Sequence, residues 1–300
     1  MADFLAGLLN VAIQGFAVSS MLAVGLSFTA RQILDPLLDV RGVILALLAN
    51  FVAVPLLAYG VTHLLSLDRS AALGLILVAL AAGAPFAVKL VKMAGGAVEF
   101  SSGLLVLLLV GTIVYIPLVV PLVAPGATVS PGEIARPLVV TMLLPLGIGL
   151  MVKALSPEGA ARLQPVAGRI ASVLLTALLV LTAVVHFRAI LGVFGTGAIL
   201  AALLVLVGAF GLGYLFGGFG EHLRDEMAQV TAQRNVAAAL VVAESLGDPG
   251  AVVMITVVSA VSMALLFPLA GALGRRAAAV SRAETDGAPA QRPERRRAPS

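Results

Sequence analysis

Arg234 stands in a stretch of alanine and valine. Residues 229–240 read QVTAQRNVAAAL, so Thr231, Gln233, Arg234 and Asn235 place four polar side chains inside an otherwise apolar run. A second interruption lies far away in sequence, where residues 82–96 read AGAPFAVKLVKMAGG. Gly83, Ala84 and Pro85 break a helix there, because proline lacks a backbone N–H and clashes with the preceding turn. Lys89 and Lys92 follow, one turn apart on nearly the same face. Asn50 interrupts a third run, LALLANFVAVP, just before Pro55. The chemistry these residues can do is binding rather than bond-making. Ionisable groups deep in apolar sequence are functional candidates, and unwound backbone frees amides and carbonyls as ligands for ions and anionic groups. A pair of interrupted apolar segments, one in each half of a chain, is the sequence pointer to a transporter site.

The ingredients of an enzyme are missing. There is no Cys, no G-x-S-x-G, and no Asp or Glu pair within one apolar span. The three histidines, His63, His186 and His222, are too far apart for a metal-ligand spacing. The reading is therefore not an enzyme, with no metal site and no cofactor.

The polar positions differ in what they imply. Arg234 lies ten residues past Arg224 and so falls well inside a bundle. Lys92 is close enough to a helix end to snorkel to the interface, and Lys89 can either snorkel or line a site. Asn50 serves a site or only bonds a neighbouring helix. Glu99 opens a helix, where it complements the dipole or pairs with Lys89 or Lys92. Glu244, His186 and Arg188 read as interfacial.

The elements that must position these residues are membrane helices. The chain has 300 residues, 60% apolar and 11% charged, far from soluble proportions; a soluble enzyme, a nucleic-acid binder and a disordered chain are excluded. Nine runs are long enough to span a bilayer, near 5–28, 43–64, 71–94, 97–123, 134–154, 169–192, 195–218, 227–246 and 250–273. Residues 1–274 carry twelve bases and twelve acids, so the net charge of +4 belongs to the tail, with seven Arg against three acids. The expected organisation is one transmembrane transporter domain, 1–274, and a basic, disordered cytoplasmic tail, 275–300, that anchors topology or touches anionic lipid. Arg31, Arg41, Lys92, Lys153, Arg162, Arg169 and Arg224 fall on the tail's side, which puts the N-terminus outside and the C-terminus in the cytoplasm. Sixteen Arg against three Lys suggests a G+C-rich bacterium, hence its inner membrane. The partners are the lipid bilayer and a small solute, with no nucleic acid; oligomeric state is not legible.

Four segments in order carry a resemblance: SSMLAVGLSF (19–28), NFVAVPLLA (50–58), the broken third span into AVEFSSG, and QRNVAAAL (233–240). Over most of residues 18–274 the chain resembles the bile acid:sodium symporter family, within the bile-acid, arsenite and riboflavin-type transporter group. The resemblance implies an all-α integral membrane protein of inverted repeats, with two broken helices crossing near the midplane. Relative to the family's usual ten helices the first is absent, leaving nine. It also implies transport of organic anions such as bile acids or keto acids.

The departures are at the sodium positions. Sodium-coupled members carry Pro-Gly-Gly and then Ser-Asn in the first broken helix; the last two positions here are Ala87 and Val88, followed by Lys89. Their second broken helix reads acid-x-Gly-x-Gln-Asn, which here becomes Val230, Thr231, Ala232, Gln233, Arg234, Asn235. Asn50, Ser101 and Asn235 remain compatible with the family's polar positions. The expectation is a secondary transporter of small organic anions in which Lys89 and Arg234 replace the sodium charges, with Asn50, Thr231, Gln233, Lys89, Arg234 and Asn235 forming the substrate region. Such a carrier is a facilitator, an exchanger or proton-coupled, with Lys89 the expected proton site. The alternatives are a sodium-dependent symporter and a non-transporting sensor on the same fold.

Overall fold

In the computed structural model, residues 2–96, 98–123, 130–185, 195–218 and 221–287 are described. Twelve helices follow one another: α1 Ala2–Ser27, α2 Ala30–Leu34, α3 Val40–Leu64, α4 Arg69–Leu80, α5 Ala87–Met93, α6 Val98–Val123, α7 Pro131–Leu155, α8 Pro157–Val185, α9 Ala198–Phe216, α10 Glu221–Ala232, α11 Val236–Ser245 and α12 Pro249–Gly287. No strand occurs among the described residues.

Seven of these helices are long and apolar enough to cross a membrane: α1, α3, α6, α7, α8, α9 and α12. Of the nine expected spans, the third and the eighth are absent from that set, and each is a broken pair, α4–α5 and α10–α11. Three boundaries differ from the sequence reading. Helix α8 starts at Pro157 rather than 169 and α12 runs on to Gly287 rather than 273, because Ala-, Arg- and Glu-rich stretches keep a helix going after the apolar run ends. Helix α10 starts at Glu221, which brings Asp225 and Glu226 into a helix where the apolar run began only at 227. His186 and Arg188, the 124–129 connection and the tail from 288 lie outside the described residues.

Turn chemistry fixes the ends. Ser130 and Glu133 form a reciprocal capping box at α7, as Thr29 and Gln32 do at α2. Asp68 caps α4, and Asp248 caps α12 while accepting from the Ser70 hydroxyl at 3.1 Å.

The helices pack as two groups. Helices α1, α7 and α8 lie against one another; α4 packs along α12, and α9 along α10 and α3, in the second group. The seam runs where α11 meets α1 and α7, with α6 touching α7 and α8 touching α12. Residues 236–243 of α11 and 74–80 of α4 are buried on every side. Helices apolar all round belong at the centre of a bundle, so the inner halves of both broken pairs meet there. Outward faces stay apolar, as at Leu56, Val114 and Val173, which suits lipid.

Candidate functional site

The two breaks touch. Between α4 and α5, Gly83 adopts φ +74°, and a Cβ there would collide with the Leu109 backbone of α6; only glycine permits both the conformation and the approach. Several of the freed peptide groups find partners across the crossover, as burial requires. The Asn235 N–H donates to Ala81 O at 2.8 Å, and its side-chain amide donates to Gly83 O at 3.1 Å. Thr112 clamps the Ala82 peptide from α6, accepting from its N–H at 2.9 Å and donating to its carbonyl at 3.0 Å. Asn235 also caps α11, its Oδ1 accepting from the Ala238 N–H at 3.1 Å.

Arg234 occupies the space between this crossover and α3. Its Nε donates to Val78 O at 3.2 Å and one Nη to Ala79 O, both in the last turn of α4. The other Nη donates to Asn50 Oδ1 at 2.7 Å and Thr231 O at 3.2 Å, and Asn50 O accepts at 3.4 Å. A guanidinium has five N–H groups, and five oxygens meet them. All five are neutral, four carbonyls and one amide oxygen. The charge is 2% exposed, and taking an ion out of water costs several kcal/mol. The negative end of the α4 dipole and the charge-assisted bonds offset that cost.

Sequence dictates why α3 can offer these oxygens. Pro55 contributes no N–H to the turn before it, and Ala49–Ala53 winds as a π-helix. The loosened carbonyls of Asn50 and Phe51 accept instead from Arg234 and from the Tyr115 hydroxyl, the latter at 2.5 Å. Asn50, fully buried, spends its amide N–H groups on Ala46 O at 3.0 Å and Thr231 Oγ1 at 3.1 Å.

Of the expected site residues, Asn50, Thr231, Arg234 and Asn235 come together at the crossover. Gln233 lies beside them, its Oε1 accepting from Ser262 of α12 at 3.1 Å. Lys89 does not join. Helix α5 turns Ala87, Leu90 and Val91 inward, leaving Lys89 and Lys92 exposed on its outer face, with the Lys89 ammonium 5.9 Å from the Phe267 ring centroid. The two cations therefore do not hold the crossover jointly; Arg234 alone lies in it. Ser101, fully buried on α6, donates to Glu226 Oε2 of α10 at 3.3 Å.

Three participants escaped the sequence reading. Tyr115 is a lone phenol in an apolar helix, and Asn10 a lone amide in α1 that donates to Glu244 Oε1 at 2.6 Å. Glu226 sat just outside the predicted eighth span. For Tyr115 and Asn10, isolation of a polar residue in apolar surroundings was the available signal; Glu226, at the end of EHLRDE, offered none.

Comparison with known proteins finds no curated relative. The sodium bile acid symporter family matches residues 16–206. That region contains α2 to α8 complete and ends inside α9, so the α10–α11 pair with Arg234 lies beyond it. Helices of membrane length, broken pairs meeting in the core and a match over more than half its length agree: the chain belongs to the sodium bile acid symporter family, whose members are membrane transporters.

Proposed function

We propose that this protein is a secondary carrier of small organic anions that works without sodium. The observation that carries this reading is the Arg234 guanidinium, held by Val78 O, Ala79 O, Thr231 O and both oxygens of Asn50. Neutral oxygens converging on one positive charge are what a bound monovalent cation would need, and here a covalently attached cation already fills the cage. A second cation a few Å away would meet roughly 4 kcal/mol of repulsion at an effective dielectric near 20. Val230, Ala87 and Val88 add no side-chain oxygen to offset it.

With all its donors engaged, Arg234 acts on a substrate through its field and by holding the crossover together. Asn235, Thr231, Gln233 and Asn50 border that spot. Lys89, on the exposed face of α5, supplies a second attraction for an anion. Counting each broken pair as one crossing gives nine passes, with an outer N-terminus, a cytoplasmic C-terminus and a bacterial inner-membrane location. Residues 1–274 form the transport domain and 275–300 its basic tail.

Uptake of a panel of radiolabelled bile-acid-like and keto-acid anions into liposomes, with a sodium gradient or with choline replacing sodium, tests this. Equal uptake in both is expected. Uptake that requires sodium overturns the fixed-cation reading, and no flux of any anion turns the fold toward a sensor.

A further inference from the structure

Glu226 is a carboxylate only 2% exposed, buried in α10 two turns before the break that carries Arg234. It lies one turn before Val230. Ser101, fully buried on α6, donates its hydroxyl to Oε2 at 3.3 Å. One turn further along the same side of α10 is Gln229, also 2% exposed. Its Nε2 donates to Asp225 O at 3.3 Å, while its Oε1 has no hydrogen-bond partner among the described residues. A buried amide oxygen without a donor costs about 1–3 kcal/mol, so it marks a place where a donor is missing.

We propose that Glu226 binds the coupling proton of this carrier, an inference that rests on the sodium-independent reading above. A proton from the aqueous phase adds to a Glu226 oxygen, giving the neutral acid; that O–H is a new donor one turn along α10 from the spare acceptor of Gln229. Space favours a proton over a metal ion. Gly96 packs so closely that a Cβ there would stand 2.9 Å from Glu226 Cγ and 3.2 Å from Oε1.

Other ionisable groups surround α10. On the elements packed against it these are Lys89 and Lys92 of α5, Glu99 in the first turn of α6, Tyr115 of α6, Tyr214 of α9, and Arg275 and Arg276 of α12, with Arg282, Glu284 and Asp286 further along. Both lysines and Arg275 and Arg276 are exposed. Tyr115 is engaged by Phe51 O, and Tyr214 lies 5.6 Å from the Arg224 guanidinium. Helix α10 itself carries Glu221, His222, Arg224 and Asp225, and Asp39 and Arg41 line a small cavity beside Leu223 and Met227.

The test is infrared difference spectroscopy of the full chain in lipid, taken between acidic and alkaline buffer. A protonated-carboxyl carbonyl band is expected in the wild type, lost in Glu226→Gln, kept in Glu244→Gln and shifted but retained in Ser101→Ala. If Glu226→Gln fails to fold, the shift in Ser101→Ala carries the assignment. A band unchanged in both Glu226→Gln and Ser101→Ala, or no band at all, overturns the proposal. So does a band that sodium chloride displaces and choline chloride does not, which would mark a cation site. In liposomes, a proton gradient should raise accumulation of the panel anions in the wild type and not in Glu226→Gln. The assigned band without flux of any anion would sustain the proton site and sink the carrier reading; sodium-free flux without the band would do the reverse.

Discussion

Arg234 and Asn50, separated by 184 residues, are joined twice: one Nη donates to the Asn50 amide oxygen at 2.7 Å, the other to its main-chain carbonyl at 3.4 Å. The pair ties the second break to the π-wound turn of α3. On the proposed reading, stability of the crossover and indifference to sodium rest on the same few atoms.

Changing Arg234 to Ala takes a donor from five buried oxygens, of which Val78 O keeps the Ala81 N–H at 3.1 Å. Each buried neutral oxygen left without a donor costs about 1–3 kcal/mol, so the melting temperature in detergent should fall sharply. Arg234→Gln combined with Val230→Glu installs the Gln and the acid that the resemblance implies at these two positions. That double variant should be stabilised by sodium chloride over choline chloride, whereas the wild type should melt at the same temperature in both. A double variant indifferent to sodium would argue that the cage is not a cation site at all.

Asn50→Leu should destabilise by about 3 kcal/mol, the worth of the lost bonds to a charged group. Asn50→Asp keeps both oxygens and adds a charge opposite the guanidinium, and should be milder. Thermal unfolding of the two variants side by side checks the order, which a purely steric role for Asn50 would not produce.

Gly83→Ala combines a left-handed backbone with a collision against Leu109. Strain of about 1–3 kcal/mol from the dihedral alone adds to that clash. Poor yield and loss of flux are expected, while Ala84→Gly, at the next position, should remain close to wild type in yield.

Asn10 and Glu244 form the one side-chain hydrogen bond, among the described residues, that joins the α1–α7–α8 group to the other helices. If the groups move apart during transport, this bond has to break. The chain has no cysteine, so Asn10→Cys with Glu244→Cys gives a single possible disulfide. Oxidation should stop flux and reduction restore it; flux that persists with the bridge closed would show that the seam stays shut there throughout the cycle.

Much of the architecture was legible because lipid leaves few choices: apolar runs of spanning length must be helices, and Gly83 with Pro85 must interrupt one. The depth of Arg234 could be read from its distance past Arg224. Four of its five partner oxygens could not, since they come from α3 and α4, more than 150 residues earlier, and the two of Asn50 depend on a π-turn no composition announces. Lys89 failed for a related reason. Sequence places it just after a break but does not give the rotation of α5, and that rotation carries the side chain outward. Glu226 was hidden by a boundary, because EHLRDE reads as a polar connection until the helix is seen to begin at Glu221.

Helix α12 has 39 residues, about 58 Å at 1.5 Å per residue, against a hydrocarbon core of about 30 Å. Even strongly tilted, such a rod must project from the bilayer, and Arg275 and Arg276 stand about 40 Å along it, where projection begins. Gly274 rests on the Met93 carbonyl at the end of α5, and the opposite end of α12 is packed along α4. The projecting arm is thus a lever with its fulcrum on one broken pair. A pull or a tether on the basic end would bear on the carbonyls that grip Arg234.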